Sequence, residues 1–153
     1  METLFAVLHV VSAVFIVGPM AILPMTAMRA VRAGNAGQVE VLAKSTNLIS
    51  LLSLLVVFFG FGVMGLADKK YGLSITTPWI LWSLILYVIA LGLTLFLVVP
   101  TMRRAAEAIR GAEAGRAGEA GQAEPSRYPA IAAGSGVASL LLVAVVVLMV
   151  WKP

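Results

Sequence analysis

The fold class is decided by the run Leu140-Leu141-Leu142-Val143-Ala144-Val145-Val146-Val147, in which no polar residue interrupts the apolar ones. A strand of a membrane barrel would alternate apolar and polar residues over about 10 positions. This run does not alternate, and it lies in an uncharged window of 24 residues from Tyr128 to Trp151. A membrane-spanning helix needs about 20 predominantly apolar residues. The window therefore predicts a transmembrane helix.

Three other uncharged windows precede this one. They cover Thr3 to Met28, Ser45 to Ala67 and Tyr71 to Met102, and all charged residues of the chain lie outside the four windows. Charged residues make up 12% of the sequence and the mean hydropathy is +1.02, whereas a soluble domain carries about 25% charged residues. The sequence predicts an all-α integral membrane four-helix bundle, a single transmembrane domain over 1–153. Its predicted spans are about 3–28, 45–67, 78–101 and 129–151.

The first window is predicted to be a retained helix rather than a cleaved signal peptide. The residues before it, Met1 and Glu2, carry an acid and no base. A signal peptide has a basic start, a shorter apolar region and a small-residue cleavage site. None of these features is present, so we count this window as the first span.

The orientation follows from the distribution of lysine and arginine. Eight of these residues lie in the first and third connections, between Arg29 and Lys44 and between Arg103 and Arg127. Three lie in the second connection and at the C-terminus. Connections rich in lysine and arginine stay in the cytoplasm. The sequence therefore predicts that the N-terminus and the C-terminus are both outside.

The third connection is the longest part of the chain between spans. Met102 to Ile109 is predicted to continue the third helix, and about 110–127, rich in glycine and alanine, is predicted to be a flexible cytoplasmic loop. The basic residues here are explained by membrane insertion and by anionic lipid headgroups. We therefore expect the lipid bilayer as a partner and no nucleic acid. The absence of cysteine removes disulfides and thiolate metal sites.

His9 is the ionisable residue that stands out within the predicted spans. An imidazole in a membrane helix can ligate haem iron or copper, or relay a proton. The other interpretation, which the sequence favours, is a neutral histidine hydrogen-bonded to a neighbouring helix. No acid lies within a span and no nucleophile has a base beside it in the sequence, so no catalytic residue and no metal ligand set is predicted.

Small and polar residues follow helical spacing along the spans and predict where the helices pack. Such residues let helix backbones approach and form hydrogen bonds between helices. Prolines in the first span predict a kink or loosening of its cytoplasmic half, because each removes a backbone hydrogen bond. The residues predicted to pack or to line a cavity are Ser12, Gly18, Pro19, Pro24, Asn47, Ser50, Gly60, Met64, Ser83, Tyr87, Ser135 and Gly136. From this pattern we predict no internal repeat.

A family resemblance rests on Leu8-His9-Val10-Val11, on Gly18 nine positions after the histidine, on Pro78-Trp79 and on Val99-Pro100. The chain resembles a group of uncharacterised bacterial four-helix predicted integral membrane proteins and, more distantly, proteins of the copper-resistance D type. A remoter similarity is to bacterial membrane protoporphyrinogen oxidase, and it implies haem ligation by His9. Two positions depart from these relatives, which usually have tryptophan at the position of Ile16 and a glycine pair at Gly18-Pro19.

Three functions are compatible with the sequence. The favoured one is a non-enzymatic accessory or scaffolding subunit of a larger membrane complex, without a cofactor, in the bacterial cytoplasmic membrane. The second is a haem- or copper-handling protein that uses His9. The third is a small oligomeric transporter, which would need a homo-oligomer because four spans are few for one protomer.

Overall fold

The computed structural model describes residues 1–66, 72, 74–115 and 127–151, with the backbone alone at Glu2, Arg127 and Tyr128. All regular structure in this part of the chain is helical. The elements are α1 (Glu2–Ser12), a first π-helix (Ala13–Val17), α2 (Gly18–Arg32), α3 (Ala36–Leu66), α4 (Pro78–Leu93), a second π-helix (Thr94–Val98), α5 (Val99–Glu113) and α6 (Arg127–Trp151).

Four continuous helices are long and apolar enough to cross a membrane. They are Thr3–Arg32, Ala36–Leu66, Pro78–Glu113 and Pro129–Trp151, and we call them spans 1 to 4. The predicted all-α fold with four spans is confirmed. We call the end of the bundle that carries the connections after α2 and α5 the inner end. The opposite end, which carries the connection between α3 and α4, is the outer end.

The helices extend beyond the predicted spans at the inner end. Span 1 continues to Arg32, span 2 begins at Ala36, and span 3 continues to Glu113. Residues 110–113 of the predicted flexible loop are therefore helical, because Ala105, Ala106 and Ile109 pack α5 against the core. Residues 116–126 of that loop, and Lys69, Lys70 and Lys152, lie outside the described residues. The orientation stays a prediction.

Local sequence explains where the helices begin and end. Gly34 adopts a φ of 66°, which suits the residue after a helix, and closes α2. The side chain of Asn35 then accepts a hydrogen bond from the backbone N–H of Gln38 at 2.9 Å, which caps the start of α3. At the outer end, Pro78 occupies the first turn of α4, where its missing N–H costs nothing.

The core has two clusters at different depths. The inner cluster draws on all four spans and is rich in small residues: Ala27, Ala30, Val39, Ala43, Val98, Met102, Ala105, Ala106 and Ile131. The second cluster lies further outward and contains Met20, Tyr87, Ala90 and Leu142. Small side chains at the inner end let four helix backbones come close together, as expected for membrane helices.

The outer half is less densely packed. Span 1 has no buried residue from Thr3 to Pro19, span 2 has none from Val57 to Leu66, and span 4 has none from Val143 to Trp151. Here α1 packs against α3 and α4 packs against α6, whereas the close approaches between these two pairs involve α2 with α6 and α3 with α5. The bundle is thus a four-helix core at its inner end and two helix pairs at its outer end.

Candidate functional site

Buried hydroxyl groups along the spans are mostly satisfied by their own helices. Thr46, Ser83 and Thr94 each donate to the carbonyl oxygen four residues earlier, at 2.7 to 2.8 Å. Ser135 donates to the carbonyl of Ala132 at 3.2 Å. A hydroxyl bonded in this way has its proton satisfied within its own helix, which offsets the cost of burying a polar group.

One buried hydroxyl pair joins two spans. Ser53 Oγ and Tyr87 OH are 2.6 Å apart, which links α3 to α4. Ser53 donates its hydroxyl proton to the carbonyl of Ser50 at 2.6 Å. Tyr87 must therefore be the donor to Ser53, because a hydroxyl has one proton. Ser53 is fully buried and Tyr87 is nearly so.

Ser50 is the exception among these hydroxyls. Its Oγ is buried and has no hydrogen-bond partner in the described part of the chain, although its carbonyl accepts from Ser53. The predicted neighbour on the same stripe, Asn47, is half-buried. Among the polar residues at helical spacing on α3, Ser53 bonds to another span, whereas the hydroxyl of Ser50 has no partner among the described residues.

His9 bonds to the backbone of the neighbouring helix. Its Nδ1 lies 2.8 Å from the carbonyl oxygen of Val56. A carbonyl only accepts, so Nδ1 carries a proton, and Nε2 is the ring nitrogen that this bond does not use. The carbonyl of His9 accepts from Ser12 at 3.0 Å, which places Ser12 in a bond within its own helix.

Gly60 makes room for the histidine ring. A Cβ added at Gly60 would lie 3.0 Å from Cε1 and 3.2 Å from Nδ1 of His9. Val56 and Gly60 are one helical turn apart on α3, and Ser53 lies one turn further inward on the same face. The structure thus brings His9 and Tyr87 to adjacent points of one helix face.

A second close approach at this interface involves Gly62. A Cβ at Gly62 would collide with the ring of Phe5. Phe5 also packs edge-on against Phe59, with ring centroids 6.3 Å apart. Met64, two residues beyond Gly62 and one of the residues predicted to pack or to line a cavity, is half-buried.

The predicted glycines of spans 1 and 4 lie in open positions. An added Cβ at Gly18 or at Gly136 would meet no atom within 4 Å. In span 4 the close approach occurs instead at Gly134, where a Cβ would lie 3.0 Å from Leu97 Cδ2. Ser135 is buried beside it. The sequence pattern placed small residues on span 4 without fixing which glycine faces span 3.

Proline breaks occur in two spans. The first π-helix, Ala13–Val17, comes directly before Gly18-Pro19, and Pro24 is buried within α2. The second π-helix, Thr94–Val98, comes before Val99-Pro100 and was not anticipated. Pro100 was the signal for it, since a proline removes one backbone donor and disturbs the turn before it.

An ion-pair network at the inner end was also missed. Glu40 pairs with Lys44 at 2.9 Å and with Arg110 of α5. Glu40 lies in the inner extension of α3, outside the predicted apolar span 45–67, and the hydrogen bonds from Lys44 and Arg110 lower its pKa from about 4.5 to about 2. The Lys44 pair was visible as a four-residue spacing in the sequence. The Arg110 pair joins spans 2 and 3 and depends on their packing.

The described residues contain no group of three or more histidine, aspartate or glutamate side chains arranged to hold a metal ion. Any ligand bound through His9 would use its Nε2. Donation of the other ring N–H to a carbonyl is how proteins commonly orient a ligating histidine.

Comparison with known proteins identifies the family. Residues 3–153 match the family model described as predicted integral membrane protein (DUF2269). No curated protein and no solved structure matches the chain. The match covers all four spans, so the chain belongs to the DUF2269 family of predicted integral membrane proteins.

Proposed function

We propose that this protein is a non-enzymatic accessory or scaffolding subunit of a larger membrane complex in the bacterial cytoplasmic membrane. The buried hydroxyls of the spans support this function, because backbone carbonyls of their own helices occupy most of them. The inner end supports this function as well, because residues of all four spans pack into one cluster there and an ion pair links spans 2 and 3.

The surface of span 1 carries the proposal. α1 packs against α3 and against no other span to a comparable extent. Val7, Val10 and Val14 are more than half exposed, and they share the half of the helix that faces away from His9. An unpartnered apolar helix face in a membrane faces either lipid or the helix of another subunit. Helices associate in lipid through close packing of their side chains, so this face can bind the helix of another subunit.

Native mass spectrometry of the protein released from its own membrane in mild detergent tests this function. We expect a discrete assembly heavier than the 16.1 kDa chain. Val14→Trp should dissociate it, because the larger side chain separates the packed helices. Val143→Trp on span 4 is the matched control, since Val14 is 64% and Val143 is 59% exposed.

Each outcome has a distinct meaning. A single chain, or an assembly that is equally stable in both variants, contradicts the proposed role of span 1. An assembly that contains only copies of this chain contradicts the accessory role and favours the transporter. Loss of the native assembly in Val14→Trp alone supports the accessory role, provided that other protein chains are present in it.

His9 supports a second candidate, a haem- or copper-handling protein. The favourable observation is the bond from Nδ1 to Val56, which leaves Nε2 as the free coordinating nitrogen. Haem or copper would supply redox chemistry, and His9 would hold the group while Val56 orients the ring. The visible absorption spectrum and the metal content of the purified protein test this candidate. Pigment or metal lost in His9→Ala supports it, and a colourless, metal-free protein rejects it.

A further inference from the structure

Spans 1 and 3 share an unusual sequence of elements. Each contains a π-helix of five residues, Ala13–Val17 or Thr94–Val98. Each π-helix is followed by an α-helix of 15 residues, α2 or α5, with a proline at its second position. π-helices are rare, and a matched pair of this kind is not required by a four-helix bundle.

The two segments end in the same way. Ala33 and Ala114 cap their helices with a φ of −77° in both cases. The next residues, Gly34 and Gly115, have φ values of 66° and 69°. Every one of these features is related by the same shift of 81 positions along the chain.

The sequences agree at this shift. When residues 15–34 are aligned with residues 96–115, seven of the 20 positions are identical. The identical residues of the first segment are Phe15, Val17, Pro19, Ala27, Arg29, Ala33 and Gly34. The agreement is hard to detect from the sequence, because most of the non-identical positions pair one apolar or small residue with another, as they would in any two membrane helices.

The packing repeats as well. α1 and the first π-helix pack on α3, and α4 and the second π-helix pack on α6. Hydrogen bonds between the halves join the two equivalent span pairs, 2 with 3 and 4 with 1, and in both bonds the donor belongs to the second half. Ser53 on span 2 bonds to Tyr87 on span 3, and Ser139 on span 4 donates to the carbonyl of Ala21 on span 1 at 3.3 Å. Because spans 1 and 3 run in the same direction, the two halves are related by rotation about the membrane normal.

We propose that residues 1–66 and residues 78–115 with 127–151 are two copies of one helical hairpin, and that the two π-helix and proline breaks are a matched pair of hinges. A proline removes a backbone donor, and a π-helix replaces the usual bonds by longer-range ones. The first break lies at the outward limit of the buried residues of span 1, and the second lies inward of Tyr87, whose bond to Ser53 holds the outer end closed in this structure. α1 and α4 therefore tilt about Pro19 and Pro100 while α2 and α5 stay fixed, which opens and closes the outer end.

Distances between paired spin labels test the hinges in the full-length protein in lipid nanodiscs. The chain has no cysteine, so labels can be attached at introduced ones. Leu4→Cys with Ile85→Cys reports on the outer half, and Ile22→Cys with Arg103→Cys reports on the inner half. Both pairs join exposed positions related by the shift of 81. We expect a broad distance distribution for the outer pair and a narrow one for the inner pair.

The prolines provide the decisive variants. Pro19→Ala with Pro100→Ala restores both backbone donors, and the excess width of the outer distribution should be lost. Each single variant should remove a similar part of it. Pro24→Ala is the matched control, because Pro24 has no proline counterpart at Ala105, and it should leave the outer width unchanged.

Three results would overturn the proposal. The first is an outer distribution as narrow as the inner one in the unmodified protein. The second is an outer width that survives in the double variant, and the third is an effect confined to one of the two prolines. If the double variant fails to assemble, the two single variants decide, because each retains one native break.

Discussion

The inner and outer halves of the bundle are both largely apolar, but they differ in side-chain size and in packing. At the inner end, alanines and a few larger residues from four spans form one cluster, and Glu40 with Arg110 adds a link between spans 2 and 3. At the outer end, large residues such as Leu4, Phe58 and Trp151 face outward. The difference shows that small residues, rather than hydrophobic ones, mark where membrane helices assemble, because lipid is as apolar as leucine.

The largest effect is expected in the inner core. Met102 is fully buried, and Met102→Ala should lower the free energy of unfolding by about 2 kcal/mol, the lower end for such a cavity because lipid supplies no hydrophobic driving force. Phe61 in the outer half is 41% exposed, and Phe61→Ala should have a smaller effect. Unfolding of both variants in detergent measures the difference, and equal losses would contradict the contrast between the halves.

Gly62 tests the tightest contact of the outer half. Gly62→Ala places a methyl group against the ring of Phe5 and should cost about 1 kcal/mol of stability, the lower end for overpacking, because the ring can shift. Gly65→Ala is the matched control, because a Cβ there meets no atom within 4 Å. Thermal unfolding should give a lower midpoint for Gly62→Ala than for Gly65→Ala. Equal midpoints would show that the loss comes from replacing a glycine and not from the contact with Phe5.

The bond between Ser53 and Tyr87 should have a smaller effect. Tyr87→Phe and Ser53→Ala should each destabilise the bundle by about 0.6 kcal/mol, the average for hydrogen bonds between membrane helices. A double-mutant cycle isolates the bond from other effects of the substitutions. Ser50→Ala is the control, since the Oγ of Ser50 has no partner to lose among the described residues. A coupling of zero between Ser53 and Tyr87 would contradict the bond.

The exposed ion pairs of Glu40 should have the smallest effect. The pKa of Glu40 is about 2 in the folded protein against about 4.5 ordinarily. Its contribution is therefore fully present above pH 4.5 and is lost as the pH falls toward 2. Salt should weaken it because the partners are exposed. Acid titration of stability in the native protein and in Glu40→Gln measures this, and identical curves would contradict the pairing.

The sequence predicted the four spans well because the absence of charge is a direct physical requirement of the membrane. It also indicated the polar stripe on α3 and a break near Gly18-Pro19. It could not predict that Tyr87 reaches Ser53, or that Gly134 rather than Gly136 meets span 3, since both depend on how the helices are rotated against each other. The predicted spans ended before the helices do at the inner end, because hydropathy does not distinguish a charged helix end from a loop.

Cysteine labelling tests most directly whether the packed half lies toward the cytoplasm and the open half faces outward. Ile75→Cys lies in the exposed connection after span 2, and Gln38→Cys lies in the exposed first turn of α3 at the packed end. With a membrane-impermeant maleimide on intact cells, we predict labelling of Ile75→Cys alone, and labelling of Gln38→Cys only after permeabilisation. Labelling of Gln38→Cys in intact cells, with Ile75→Cys protected, would contradict the predicted orientation of the bundle.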